Sequence, residues 1–255
     1  MSPEVTPVIV EYLRLFDSRT RQLILGAGAT ASAGLRAITT AHLARAFQSL
    51  GFVVALIPYV REFIRRRSRP ELLAELDKTK RMFQEHQADI RNKLVDIMSG
   101  RARSLVAAMR KIDFDFPSET QKEVSPYMET LTKETTTFSR AMKRNLSEDE
   151  ALQMMMMVFD SYSNQWLEAF SETTIRSEAG KARLLRDAQL FETKLNQIDG
   201  FGDTGKRIID IVKNKSIPVK HADALARPSQ DSARTANGMG STTLSTAPKE
   251  EAAKR

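Results

Sequence analysis

The feature that most constrains this chain is a run of apolar residues at helical spacing between residues 23 and 67. Five of them lie alternately four and three positions apart: Leu43, Phe47, Leu50, Val54 and Ile57. That spacing puts their side chains on one face of an α-helix, and such a face is buried against other helices. The stretch therefore predicts a packing helix that runs to about Arg67, with Pro58 kinking it or ending it early.

A glycine- and alanine-rich segment, GAGATASAG, precedes this helix and contains Gly26, Gly28 and Gly34. A GxG turn after an apolar run is one feature of dinucleotide-binding folds. Here the third glycine follows after six residues instead of three, and no alternation of strands and helices comes after it. No lysine lies where a phosphate-binding loop needs one. We therefore interpret the small residues as a place where two helices approach closely.

The rest of the chain up to residue 217 has helical periodicity without the alternation typical of β-strands. Pro70 and two capping boxes, Ser118 with Gln121 and Ser147 with Glu150, predict helix starts. The patterns predict helices over Glu4–Leu25, from the glycine-rich segment to Arg67, from Pro70 past Gly100 to Ile112, after Ser118, after Ser147, around Leu184–Ile198 and over Lys206–Lys213. The predicted fold is all-α, an elongated antiparallel bundle of about five to seven helices.

The same periodicity predicts which faces of these helices carry apolar residues. In the first helix Val8, Tyr12, Leu15 and Phe16 lie roughly on one side. The buried face of the helix after Pro70 is predicted to hold Leu72, Leu76, Phe83, Ile90, Leu94 and Ile97. The inner face of the helix after Ser147 is predicted to hold Leu152, Met155, Phe159, Tyr162 and Trp166.

The composition changes after residue 217. Residues 218–255 are rich in Ser, Thr and Ala, contain Pro and Gly, and have almost no large apolar side chains. Such a segment cannot bury enough surface to offset the entropy of ordering it. The chain is therefore predicted to consist of a helical domain over 1–217 and a disordered tail over 218–255.

Composition and motifs give no sign of catalysis or of a cofactor. The chain has no cysteine, and its three histidines, His42, His86 and His221, are far apart in the sequence. No set of residues for nucleophilic or acid–base catalysis can be assembled from the sequence. The longest uninterrupted apolar run, Leu50–Val60, is about half of the roughly 20 residues that span a membrane, so we expect a soluble protein.

A cluster of arginines follows the packing helix, and it is the strongest candidate for a contact site. It consists of Arg61, Arg65, Arg66, Arg67 and Arg69, with only Glu62 opposing them. In a continuous helix Arg61, Arg65 and Arg69 share one face, which could bind acidic lipid headgroups or an acidic partner segment. The alternative is a solvated helix end whose cations suit the helix dipole. No aromatic stacking platform accompanies the cluster, so nucleic acid is not expected as a partner.

The segments LGAGATASAGLRAITTAHLA and LIPYVREF resemble the family of the vacuolar protein sorting subunit fifty-four, part of the Golgi-associated retrograde protein (GARP) tethering complex. Among the matching positions are Gly26, Gly28, Gly34, Leu35, Thr39, Thr40, Pro58 and Arg61. The resemblance is specific over about Leu23–Phe63 and covers the C-terminal domain of the family. It implies a helical bundle of the multisubunit tethering-complex type, without enzymatic activity or cofactor.

The resemblance also implies a function in retrograde transport from endosomes to the trans-Golgi network. The expected place is the cytoplasm, at the periphery of trans-Golgi and endosomal membranes. The expected partners are the other subunits of a tethering complex, SNARE proteins and the endosomal or Golgi membrane surface. Family members meet SNARE proteins and assemble through a long N-terminal region without a counterpart in this sequence. The chain is therefore expected to be a fragment or a truncated gene model of a longer protein, or else not to assemble into the complex as it stands. The alternative function is a helical adaptor that binds an acidic protein or peptide segment without touching a membrane.

Overall fold

A computed structural model describes residues 5–26, 28–66, 69–116 and 123–218, and it confirms the all-α prediction. Within these ranges the chain forms eight helices and no β-strand. The helices are α1 Val5–Ile24, α2 Ala29–Ser32, α3 Thr40–Arg65, α4 Pro70–Met109, α5 Pro126–Asn145, α6 Glu148–Glu172, α7 Glu178–Leu195 and α8 Thr204–Lys213. The helix that the sequence did not predict is α2, a short turn inside the glycine-rich segment. The predicted tail beyond Pro218, the predicted capping box of Ser118 with Gln121, and Arg67 lie outside the described residues.

The longest helix, α4, is the element around which the first half of the chain is arranged. Its 40 residues correspond to about 60 Å of helix at 1.5 Å per residue. It packs against α1, α3, α5 and α6. Pro70 occupies its first turn, where the missing N–H is not needed, and the helix continues through Gly100 as predicted. Of the six residues predicted on its buried face, Leu76, Phe83, Ile90 and Leu94 are buried. The other two differ from the prediction: Leu72 is half-buried, and Ile97 is 37% exposed while its neighbour Met98 is buried.

Side-chain caps fix the starts of α3 and α6. Thr39 Oγ1 accepts a hydrogen bond from the backbone N–H of His42 at 3.3 Å, and His42 Nδ1 accepts one from the N–H of Thr39 at 3.2 Å. The predicted box at α6 is confirmed, since Ser147 and Glu150 exchange the same pair of bonds. His42 therefore has a structural role in ending the glycine-rich segment and starting α3.

The glycine-rich segment is a surface turn, so the prediction of a close helix–helix approach is wrong. Gly28 and Gly34 have φ angles of 76° and 66°, in the left-handed region that favours glycine. No described atom lies within 4 Å of the place where a β-carbon would stand on either residue. At Gly26 a β-carbon would lie 2.8 Å from the carbonyl oxygen of Gln22, so this glycine lets the chain turn back on the end of α1.

Pro58 does not end α3. The helix continues through it to Arg65, two residues before the predicted end. A proline inside a helix removes one backbone hydrogen bond and costs about 3 kcal/mol. The buried side chains of Ile57 and Ile64, before and after the proline, pack in the core and offset that cost.

Asp115 ties the loop after α4 to the start of α7 and gives the fold a pH-dependent contact. Its carboxylate accepts hydrogen bonds from Ser177 Oγ at 2.6 Å and from the backbone N–H of Arg176 at 2.9 Å. Burial acts to raise the pKa of Asp115, but these hydrogen bonds outweigh burial and lower the pKa below 3.8. The contact therefore stabilises the folded state above the ordinary pKa and is lost as the pH falls through the lowered value.

Replacing Asp115 with asparagine is expected to lower the free energy of unfolding by about 1 kcal/mol at pH 7, because one charged acceptor is lost. The difference from the parent should narrow as the pH falls below 3.8, where the parent carboxylate also takes up a proton. Urea unfolding at a series of pH values measures this difference. Asp160→Asn, at an exposed position on α6, serves as the control and should show no such change. If the difference in unfolding free energy between the variant and the parent stayed constant across the pH series, the pH-dependent contact of Asp115 would be contradicted.

Candidate docking surface on α1 and α3

The inner face of α3 is the predicted apolar seam, and it packs on α4. Leu43, Phe47, Leu50 and Ile57 are buried, and Val54 is half-buried against them. A hydrogen bond also joins the two helices: Gln87 Nε2 of α4 donates to the backbone carbonyl oxygen of Phe47 on α3 at 3.0 Å. This part of the sequence-based prediction is confirmed.

The opposite face of α3 carries a second row of large apolar residues, and this row is exposed. The exposed fractions are 66% for Phe52, 42% for Leu56, 75% for Tyr59 and 73% for Phe63. We call these four residues the outer seam of α3. Their spacing of four, three and four residues is the same as that of the inner seam, so the sequence held the signal for it. Sequence reasoning missed the outer seam because one apolar face had already accounted for the helix.

With two apolar faces, α3 also has the length and hydropathy of a membrane-spanning helix. The uninterrupted apolar run Leu50–Val60 is too short to span a membrane, so the sequence analysis does not predict the membrane-span length and hydropathy of the whole helix. Length and composition are weak evidence for a membrane span, since core helices of soluble proteins can share them. In the structure, one third of the most apolar 18-residue window of α3 is buried.

The apolar side predicted for α1 faces outward. Val8, Tyr12 and Leu15 are exposed by half or more, and we call them the outer seam of α1. The side that packs into the bundle instead carries Val10 and the polar residues Thr6 and Asp17. Helices α1 and α3 contact each other as well as α4, so the two outer seams run along neighbouring helices.

Polar contacts that the sequence could not show hold α1 on α4. Asp17 Oδ1 lies 2.9 Å from Nδ1 of the fully buried His86. An ion pair between Arg21 and Asp89, with 2.6 Å between the charged atoms, lies one turn further along. Arg14 pairs with Glu75 in the same way, and the ring of Phe16 stacks on Phe83 at a centroid distance of 6.1 Å. These contacts fix the inner side of α1 and leave its outer seam in solvent.

The arginine cluster does not form one helix face. Arg61 is half-buried and pairs with Asp77 of α4 at 2.9 Å, while Arg65 pairs with Glu62 of its own helix at 2.9 Å. The hydrogen bonds that Arg65 donates to the Glu62 carboxylate, together with the negative charge of Glu62, raise the pKa of Arg65. Because α3 ends at Arg65, Arg69 lies beyond it, as the residue that precedes α4. Within the described ranges, Arg66 and Arg69 are exposed and lack a carboxylate partner.

The other residues singled out in the sequence belong to the turn between α1 and α3. Leu35 is partly exposed, Thr39 caps α3 and Thr40 is its first residue. Ala29 is the one buried residue among those of this turn whose burial the structure describes. Across the described ranges, no three His, Asp or Glu side chains come together in a way that could hold a metal ion.

The sequence model of the family described as "Vps54-like protein" matches residues 1–101. This region contains α1, α2, α3 and most of α4, and therefore both outer seams. The chain is related to Vps54. In relatives of that name the similarity extends beyond residue 101.

Vacuolar protein sorting-associated protein 54, chloroplastic, of Arabidopsis thaliana is 31% identical over 196 residues, which are 74% of this chain and 19% of that protein. Vacuolar protein sorting-associated protein 54 of Mus musculus is 26% identical over 212 residues, 81% of this chain and 21% of that protein. The Drosophila melanogaster protein of the same name is 34% identical over 120 residues, 47% of this chain and 12% of that protein. The chain thus spans about a fifth of the length of the Arabidopsis and mouse relatives. No solved structure matches it.

Proposed function

We propose that the helical unit is a non-enzymatic vesicle-tethering domain in retrograde transport from endosomes to the trans-Golgi network. It docks on a membrane or on membrane-bound partners, together with the other subunits of a GARP-type tethering complex. It acts in the cytoplasm, at the periphery of trans-Golgi and endosomal membranes. SNARE proteins are further partners in the same proposal.

The observation that carries the proposal is the overlap between the Vps54-like region and the exposed apolar surface. Residues 1–101 hold both outer seams, and a row of exposed aromatic and aliphatic residues is typical of a surface that binds another molecule. The inner contacts of α3 and α1 with α4 give that surface a rigid support. The arrangement suits docking, in which the helices present a fixed face to a partner.

Proximity labelling in cells tests the proposed function. The chain, fused to a biotin ligase, is expected to label subunits of a tethering complex and proteins of trans-Golgi or endosomal membranes. A ligase carrying only residues 219–255 serves as the control. Labelling that matches this control, with no tethering subunit enriched, would contradict the proposal.

The lipid contact proposed for the arginine cluster rests on Arg66 and Arg69, because Arg61 and Arg65 are paired with carboxylates. Each basic residue near an anionic surface contributes about 1 kcal/mol. Replacing Arg66 and Arg69 with glutamate is therefore expected to weaken capture by phosphatidylserine vesicles about tenfold or more in a flotation assay.

The matched control replaces Arg103 and Lys111, which are exposed near the other end of α4, with glutamate. It changes the net charge by the same amount. Equal loss in both variants would show that only net charge matters and would remove the specific role of Arg66 and Arg69. If neither variant loses vesicle capture and a protein partner is still captured in a pull-down, the result favours the alternative function, an adaptor that binds an acidic segment without membrane contact.

A further inference from the structure

The two outer seams share the spacing that a helix uses to pack against another helix. On α3 the residues fall four, three and four positions apart, and on α1 Val8, Tyr12 and Leu15 are four and three apart. This is the a/d spacing of a coiled-coil seam, in which side chains of one helix insert between those of its neighbour. The apolar part of the α3 seam, from Phe52 to Phe63, is about 16 Å long at 1.5 Å per residue.

The seam on α3 is narrow, which favours a helix over a lipid surface as its occupant. Polar or small residues border it, namely Gln48, Ser49, Ala55 and Glu62, all of which are exposed. A helix that lies in a membrane interface presents a broad apolar face with basic residues on its polar side. A stripe restricted to a and d positions is the pattern for a single partner helix.

The charged residues near the two outer seams indicate which charge a partner helix would need. Residues 1–66 contain eight arginines and four acidic residues. Of the acidic residues, Glu11 is exposed beside Tyr12 on α1, and Glu62 pairs with Arg65. The arginines that face α4, which are Arg14, Arg21 and Arg61, are paired with carboxylates of that helix.

The arginines in line with the seams have no such neutralisation. Arg45 and Arg66 lie at the two ends of the α3 seam, seven residues before Phe52 and three after Phe63, and Arg19 follows the seam of α1. Arg45 donates a hydrogen bond to the Asn145 side chain at 3.0 Å, and Arg19 to the Gln22 side chain at 3.0 Å, both neutral groups. Arg66 has no carboxylate partner among the described residues. A partner with carboxylates beside an apolar stripe would neutralise these cations.

We propose that the outer seams of α1 and α3 bind an acidic amphipathic α-helix of another polypeptide, with its apolar a/d stripe on the seams and its carboxylates at Arg19, Arg45 and Arg66. The proposal rests on the proposed function, since it names the partner that this docking surface takes. The partner helix completes a helical layer over α1 and α3, as α4 does on their inner side.

A pair of designed peptides tests the proposal on the full chain. Both are 21 residues long, with Ile at a and Leu at d, and one has Glu and the other Lys at e and g. Like charges keep each peptide from pairing with itself. In fluorescence anisotropy the Glu peptide is expected to bind at least tenfold more tightly than the Lys peptide.

Substitutions connect that binding to the seam. The double variant Phe52→Ser with Phe63→Ser is expected to bind the Glu peptide at least tenfold more weakly, with an unchanged melting temperature because both side chains are exposed. The matched control, Met156→Ser with Met157→Ser, changes two exposed apolar residues of α6 and should leave peptide binding unchanged. Should the double variant unfold, Tyr59→Asp at the centre of the seam provides the same test.

The remaining outcomes overturn the proposal. Equal binding of the two peptides, binding of neither, or unchanged binding by the seam variant would each remove the acidic helix as the occupant. If the seam variant instead loses capture by phosphatidylserine vesicles, the seam is a membrane surface. If the parent chain is a dimer in sedimentation velocity and the seam variant a monomer, the occupant is a second copy. Proximity labelling of tethering subunits together with a failed peptide test would reject this inference and leave the proposed function intact.

Discussion

Replacing Trp166 with alanine is expected to lower the free energy of unfolding by about 3–5 kcal/mol, the usual cost of removing a large buried aromatic ring. Trp166 is fully buried in α6, and its ring stacks on Tyr127 of α5 at a centroid distance of 5.9 Å. The rings of Phe170 and Phe191 are tilted against Trp166 at centroid distances of 6.2 and 6.1 Å. The substitution would open a cavity where α5, α6 and α7 meet.

A second variant at the same position separates ring volume from hydrogen bonding. Among the described residues the Nε1–H of Trp166 has no acceptor, so Trp166→Phe removes a buried donor that is already unsatisfied. We expect Trp166→Phe to cost about 1–2 kcal/mol, well below the alanine variant. Denaturant unfolding of the three proteins measures these values. Equal losses for alanine and phenylalanine would mean that the indole N–H, instead of the ring, stabilises this core.

Replacing Leu50 with glutamine is expected to lower the free energy of unfolding by about 3–5 kcal/mol. Leu50 is fully buried on the inner seam of α3, so the change removes a buried apolar side chain and places an amide where it has no partner. Because domains of this kind are stable by only about 5–15 kcal/mol, the variant should melt far below the parent. Thermal unfolding followed by circular dichroism is the measurement.

Leu152→Gln is the matched control, and it corrects a prediction from the sequence. Leu152 was predicted on the inner face of α6, but it is 37% exposed, and the buried residues beside it in the chain are Ala151, Met154 and Met155. The same substitution at Leu152 should therefore change the free energy of unfolding by less than about 1 kcal/mol. Equal melting of the Leu50 variant and the parent would contradict the packing of α3 on α4.

Features of this fold that depend only on local residue spacing can be predicted from the sequence, and features that depend on distant contacts cannot. The inner seam of α3 and the capping box of Ser147 with Glu150 are local patterns, so their spacing is enough to place them. The sequence correctly predicts that the glycines lie in a break between helices. It does not show whether they allow a close helix–helix approach or a turn, because that depends on the backbone conformation and on the neighbouring residues. Their positive φ angles, which only the backbone conformation shows, explain Gly28 and Gly34.

Contacts between residues far apart in the chain determine which side chains are paired or buried, and the sequence does not show these contacts. Arg61 belongs to the basic cluster by position, yet Asp77 neutralises it across the interface of α3 and α4. Asp17 and His86 are 69 residues apart, so nothing local indicates that they meet in a buried pair. For α3 the spacing predicts two possible apolar faces, and only the packing of α4 shows which one is covered.

Cysteine labelling along α3 tests most directly whether this helix has one covered face and one open face. The chain has no cysteine of its own, so single variants at Phe52, Tyr59, Leu50 and Ile57 report without background. The account predicts that Phe52→Cys and Tyr59→Cys react with a thiol reagent at rates near that of a free peptide. Leu50→Cys and Ile57→Cys should react on the order of 100-fold more slowly, because the reagent must wait for local opening. Equal rates at all four positions, or protection at Phe52 and Tyr59 in the isolated chain, would contradict the two-faced helix on which the docking surface depends.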